Sequence, residues 1–332
     1  MTNLEPLDPE EGVEMYHNHR ADELAKSSQR AHRMRLSHFI RWCNEQEIDN
    51  INELTGRKLH QYRLWRKRDG NLNRVSVRTQ LSTIKQAIKL WESIDAVEPD
   101  LHEKVDIPEL DKGENARSVM IEANQADAIL EHLERFEHAS RRHVIFLLLW
   151  RTAMRTGTLR SLDVDDVDLK EGYIRVVHRA DYGTPLKNKS GGERYVAISD
   201  ETCYVLEDWI EHLHPGKRDD HDRTPLVATN YGRISKSNIR KQTYWVTAPQ
   251  FVNEECSCSS SPHAYNSIHE CDDAVSPHAL RRGAITHMIR SDVPKEVVSD
   301  RADVSSDVLD KHYNEMTEKE KMEKRRGYLK TI

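Results

Sequence analysis

Through roughly the first hundred residues the apolar positions keep helical spacing. Val77, Leu81, Ile84, Ile88 and Trp91 follow one another at alternating intervals of four and three, which draws one stripe down a helix with the basic residues largely off it. An earlier helix is predicted from after Ser28 to about Glu45, burying Leu36, Phe39, Ile40 and Cys43, and another follows Thr55 as its N-cap. Asp8-Pro9-Glu10-Glu11 sets a capping residue before a proline at the first helical position, so a short helix begins there. From Glu98-Pro99 to Asn115, Pro, Gly and charge mix without a period, which predicts an inter-domain linker at about 107–117.

Downstream the pattern is mixed. Helical periodicity covers about 124–136 and 139–153, and the alternation in 173–177 and 194–198 predicts two antiparallel strands. Helices resume at about 201–213, 237–250, 278–290, 294–300 and 305–328. The expected fold class is mainly α with a small antiparallel β-sheet (α+β). At 332 residues the chain suits two domains: an all-helical one at 1–110 and a mixed one at 118–332.

Composition narrows the class. The longest apolar run, Val144 to Trp150, is far short of the ~20 residues that cross a bilayer, and the opening MTNLEPLDPEEG has neither the basic nor the apolar region of a signal peptide. Five cysteines do not make a disulfide framework. A soluble, cytoplasmic protein without a membrane partner is expected. The net charge of −6 disguises a local reversal, because ten bases against the single acid Asp69 lie between Arg57 and Lys89. That is the footprint a phosphate backbone requires. Arg74, Arg78, Lys85 and Lys89 are among those bases. The acidic run Asp163 to Asp168 reads as solubilising surface.

Three segments carry the chemistry. They are RTAMRTGTLRSLDVDDVDL from Arg151, LKNKSGGERYVAIS from Leu186, and SPHALRRG from Ser276, followed by DVLDKHY ending at Tyr313. Their order and spacing resemble the tyrosine recombinase (phage integrase) family over nearly the whole chain. In that family an arginine stands in a T-G-L-R-x-x-E-L segment, a lysine in a β-hairpin, an H-x-x-R pair at the head of a later helix and a tyrosine near the C-terminus. The resemblance places these at Arg155, Lys189, His278, Arg281 and Tyr313. It implies a SAM-like core-binding domain, whose basic face meets double-stranded DNA through Arg74, Arg78, Lys85 and Lys89 with Gln80 and Gln86 as candidate base readers. It also implies a catalytic domain closing with the first on the duplex, and a homotetramer acting on paired sites without a catalytic cofactor.

The residue types suit that chemistry. Two guanidiniums can hold the extra charge on a phosphate under attack by bidentate hydrogen bonds. His278 and Arg281, three apart, share a helix face. A tyrosine hydroxyl, with a pKa near ~10, needs a neighbouring base, assigned to His278, and the leaving oxygen needs a proton, assigned to Lys189. Lys187 competes for that role; Lys189 keeps the family's K-x-x-x-x-R interval to Arg194. Two positions depart from the family: its acidic residue is Thr158 here, and the histidine of a G-H pair nine residues before the tyrosine is missing. Arg301, or His312, is the candidate for that sixth position. Relaxation of supercoils by a type IB topoisomerase-like enzyme and non-catalytic DNA binding are the competing functions.

A second constellation lies in the insertion 254–273. Cys256, Cys258, His263, His269 and Cys271 are dense enough to hold a structural Zn²⁺ with four of the five. After Tyr313 a charged helix, TEKEKMEKRRGYLK, either docks on a neighbouring subunit or packs in cis through Met322 and Tyr328.

Overall fold

The computed structural model describes residues 4–111, 119–258 and 263–314, with 319, 322, 323 and 326 beyond them; for 311–314 it describes the backbone alone. The linker positions 112–117, the side chains of His312 and Tyr313, and Tyr328 therefore lie outside the described residues. The chain forms two compact units, Met1–Arg117 and Ser118–Ile332.

The first unit is helical: α1 (Pro9–His19), α2 (Lys26–Glu45), α3 (Gly56–Asp69) and α4 (Arg74–Ser93). Each start has a local cause. Asp8 accepts from the amides of Glu10 and Glu11, Thr55 from that of Lys58 and Asn73 from that of Ser76. The α4 stripe meets α2, so Phe39, Trp42, Tyr62 and Trp91 fill the centre, and the Trp91 indole donates to the Gly12 carbonyl at 2.8 Å.

The second unit runs α5 (Ala123–Phe136), α6 (Arg141–Thr152), α7 (Thr156–Ser161), β1 (Val167–Asp168), β2 (Tyr173–Val176), β3 (Arg194–Ala197), α8 (Asp200–Asp208), β4 (Ala228–Thr229), β5 (Gly232–Arg233), α9 (Lys236–Thr247), α10 (Pro277–Arg290), α11 (Lys295–Ala302) and α12 (Ser306–Asn314). Strands β1, β2 and β3 form one antiparallel sheet, with Ile174 opposite Val196, while β4 and β5 pair separately. Helix α6 is apolar on every side and buried from His143 to Trp150, because α5, α9 and α10 surround it. The mainly helical fold with a small antiparallel sheet is the one the patterning predicts.

The elements that pattern does not reveal are short. α7, β1 and the β4–β5 pair offer too few positions to show a period. The helix predicted to Gln250 ends at Thr247, since Pro249 forces Ala248 into an extended conformation. The helix predicted through 201–213 passes into a π-type turn at Trp209–Leu213. The acidic run is not surface either. Asp163 and Asp166 are buried, Asp163 against Arg233 and Asp166 against a two-pronged Arg179 at 2.6 and 2.8 Å.

No helix among the described residues is long and apolar enough to cross a membrane. The α10 register depends on Gly283, where a Cβ would collide with the Ile121 carbonyl oxygen. Gly283→Ala is expected to destabilise the second unit by about 1–3 kcal/mol despite the better helix propensity of alanine. Chemical unfolding followed by Trp fluorescence measures this, and an unchanged midpoint contradicts the close approach.

Candidate active site

Helix α6 ends in a left-handed residue, Ala153 (φ 49°), and the chain turns sharply so that Arg155 stands extended as the N-terminal flank of α7. That turn exposes the Ala153 carbonyl, which accepts from Arg281 Nη1 at 2.5 Å. The same nitrogen donates to the Ala302 carbonyl at 2.7 Å, and Nη2 reaches the Asp303 carbonyl at 3.4 Å. Arg281 is buried, and its pKa is pushed down to about 9 by burial and then by the cations Arg155 and Arg194. It remains charged at neutral pH.

One turn earlier, Ser276 caps α10, Pro277 opens it, and His278 is exposed at its head. The His278 pKa is lowered, first by partial loss of hydration and then by Arg281, Arg282, Lys187 and Arg155. These cations converge on one place. Lys189 stands exposed at the head of the turn Lys189–Gly192 with a φ of 51°, and Lys187, also exposed, is the lysine whose charge reaches His278. Tyr313 lies on α12, which packs against α10 and α11.

Arg301, the candidate for the sixth position, has backbone partners in the fold. Its Nε and Nη2 donate to the Arg151 carbonyl at 3.2 and 2.9 Å, and Nη1 to the Ala197 carbonyl at 2.6 Å. It thus caps the open carbonyl end of α6 and ties it to β3. The residue that enters the site from this segment is Asp303, whose carboxylate pairs with Arg155 and accepts from Asn188 Nδ2 at 2.7 Å. Arg194 was readable only as a spacing mark. It donates to the Gly192 and Arg301 carbonyls, and its Nη2 is buried with no hydrogen-bond partner among the described residues.

In the first unit, intervals of four, seven and four set Arg74, Arg78, Lys85 and Lys89 along one side of α4. Several of the basic residues have internal partners. Arg66 is buried against Asp69 and donates to the Gln80 side-chain oxygen at 2.7 Å, so Gln80 also has an internal partner. The segment after α4 answers others: Asp106 pairs with Arg63, the Pro108 carbonyl accepts from Arg78 at 2.7 Å, and Asp111 pairs with Arg74 at 3.2 Å.

In the insertion, Cys256, Cys258, His263 and Cys271 bring their ligand atoms within 4.8 Å of one another, and His269 stays outside, exposed on the turn Ile268–Glu270. Cys271 Sγ is 3.4 Å from Cys256 Sγ and 3.7 Å from Cys258 Sγ. A tetrahedron with Zn–S bonds of ~2.3 Å has edges of about 3.8 Å. The thiols are free, the Asp272 amide donates to Cys258 Sγ at 3.2 Å, and Gln250 fixes His263 from both sides of its peptide. Glu134, His138 and His143 also cluster, but His143 Nδ1 accepts from the Ala139 amide at 3.2 Å, so its Nε2 carries the hydrogen. His138 there pairs with Glu134 at 3.0 Å and with Asp208 at 2.8 Å.

Residues 120–320 match the phage integrase family, and residues 17–89 match the N-terminal SAM-like domain of phage integrases. The tyrosine recombinase XerD of Staphylococcus epidermidis is 23% identical over 87% of this chain and 88% of its own length. XerD of Yersinia pestis is 24% identical over 46% of this chain, a match that spans only 42% of that relative. Among solved structures, the Tn1549 transposon integrase in complex with a circular intermediate DNA shares the fold with a TM-score of 0.69 at 13% identity, covering 97% of this chain and 99% of its own. A lambda integrase dimer bound to a COC′ core site gives 0.66 at 11% identity, covering 92% and 77%. A helical unit followed by a mainly helical unit with a small sheet is thus the architecture of the tyrosine recombinases. The chain belongs to the phage integrase family, whose members break and rejoin DNA.

The lowered His278 pKa has a definite sign. Folding disfavours the protonated ring, so the penalty on stability is absent above the ordinary value of about 6.5 and grows as pH falls below it. An NMR titration is expected to place His278 below that value and to move it upward in Lys187→Ala. A wild-type value at or above the ordinary one contradicts the placement of these cations.

Proposed function

We propose that the protein is a site-specific DNA recombinase that works through a 3′-phosphotyrosine intermediate on Tyr313. The observation that carries this is the joint placement of Arg155 and Arg281: one buried arginine supports the turn that presents the other, with His278 on the same helix head. The Tyr313 oxygen attacks phosphorus as its proton passes to neutral His278. The bond to the 5′ oxygen breaks, and Lys189 supplies that oxygen with a proton. Arg155 and Arg281, with donors remaining beyond those bonded to protein oxygens, stabilise the charge gathered on the non-bridging oxygens. The reverse steps rejoin the strand, so no ATP or catalytic cofactor enters. The influence of Lys187 on His278 favours a second reading in which Lys187 is the acid. Residues 1–110 grip double-stranded DNA through Arg74, Arg78, Lys85 and Lys89, residues 118–332 cut it, and four chains assemble on paired sites in the cytoplasm.

On nicked duplexes carrying its binding site, the protein is expected to form a covalent complex that disappears in Tyr313→Phe and falls at least ~10²-fold in Arg155→Ala and Arg281→Ala. A 5′-thio leaving group, which needs no proton, is expected to restore cleavage to whichever of Lys189→Ala and Lys187→Ala removes the acid. Absence of the complex on a duplex the protein binds favours a non-catalytic DNA-binding protein. Relaxation of supercoils without exchange between two marked duplexes favours a topoisomerase.

Cys256, Cys258, His263 and Cys271 are proposed to hold one structural zinc ion, which staples the insertion to α9 just before α10. Native mass spectrometry is expected to find one zinc per chain, lost in Cys271→Ser and kept in His269→Ala. A metal-free chain after gentle purification in zinc-containing buffer contradicts this.

A further inference from the structure

The family's acidic residue three positions after its first arginine is absent, and the threonine in its place is buried with its carbonyl accepting from Ser161 Oγ at 2.7 Å. Arg155 nevertheless has a carboxylate partner, contributed by a segment nearly 150 residues away. Asp303 stands just past the end of α11 in a left-handed conformation (φ 53°), with its amide bonded back to the Ser299 and Asp300 carbonyls. Its side chain is 12% exposed. One oxygen pairs with Arg155, the other accepts from Asn188 at 2.7 Å, and its backbone carbonyl is reached by Arg281 at 3.4 Å. Asn188 directly precedes Lys189, and the hairpin comes so near that a Cβ on Gly192 would stand 3.3 Å from the carboxylate.

We infer that Asp303 is the positioning residue of this active site: its carboxylate fixes Arg155 on one side and the lysine-bearing hairpin on the other. Resting on the recombinase reading above, this assigns to the segment before Tyr313 the support that Thr158 cannot give. The arrangement suits the task physically. Arg155, Arg281 and Arg194 lie within one another's fields, and a cluster of three guanidiniums needs an anion to hold a single geometry before the phosphate arrives. Asp303 is the carboxylate that acts on both Arg281 and Arg194. It is anchored by a helix end and by Asn188, and its one bond to Arg155 leaves the other guanidinium hydrogens for a phosphate. A carboxylate that merely occupied the phosphate's place would have to leave when DNA binds. This one is built into the frame.

The test is single-turnover cleavage of the nicked duplex, with wild type and Tyr313→Phe run alongside. Asp303→Asn is expected to cleave about 10²-fold more slowly while binding the duplex within about twofold of wild type, and Asp303→Glu to recover part of the rate. Cleavage by Asp303→Asn at the wild-type rate or faster overturns the inference, the faster result marking a carboxylate that competes with phosphate. A loss confined to duplex affinity also overturns it. Should Asp303→Asn melt below wild type, Asn188→Ala is read in its place, because that residue is exposed: slower cleavage at unchanged affinity supports the role and unchanged cleavage overturns it. Failure of wild type to form the covalent complex counts against the recombinase reading itself, and is told apart by the Tyr313→Phe control.

Discussion

A guanidinium removed from water has to find partners whose own charge favours it, and Arg281 finds them at the carbonyl ends of two helices. The Ala153 oxygen closes α6, and the Ala302 and Asp303 oxygens close α11. Helix C-termini carry partial negative charge and carbonyls with no partner of their own, so one side chain satisfies both ends and is stabilised by both. Most of the site follows from that contact. The α6 turn determines where Arg155 emerges, the α11 end determines where Asp303 stands, and the chain proceeds from there into the helix of Tyr313. Neighbouring Arg301 repeats the device at the Arg151 carbonyl, so the junction of α6, α11 and β3 is held by arginine donors.

What the sequence discloses divides by distance along the chain. The long helices were legible because a buried stripe or an all-apolar run repeats within a few turns. The arginines of the T-x-x-R and H-x-x-R segments were legible because their spacing is local. Asp303 was not, since its partner is 148 positions away and its value depends on a turn that no periodicity encodes. Arg301 shows the converse: its position in the segment suggests a phosphate donor, and only folding brings the Arg151 and Ala197 carbonyls onto its guanidinium. The same holds for Gln80, bound to Arg66, and for Asp163 and Asp166, which pair inside the unit although they read as solvated acid. In the insertion, composition pointed to five ligand candidates, and folding selects four by leaving His269 on the exposed side of a short turn.

The insertion also bears on α10. Thr247, at the end of α9, donates its hydroxyl to the Thr243 carbonyl and accepts from the Val275 amide, directly before Ser276 caps the helix of His278 and Arg281. The small apolar cluster of Ala248, Ile268, Cys271 and Ala274 lies against this junction. A metal ion there would not touch the chemistry, and its influence would pass through the starting point of one helix.

The acids that follow α4 carry a separate consequence. Asp106 and Asp111 already neutralise Arg63 and Arg74, so these two arginines have resident counterions covalently part of the chain. A duplex taking that face would exchange carboxylates for phosphates at those points instead of releasing only small cations. Its attraction would then depend on salt less steeply than a count of exposed bases implies, and the displaced carboxylates would belong to the segment that leads out of the helical unit.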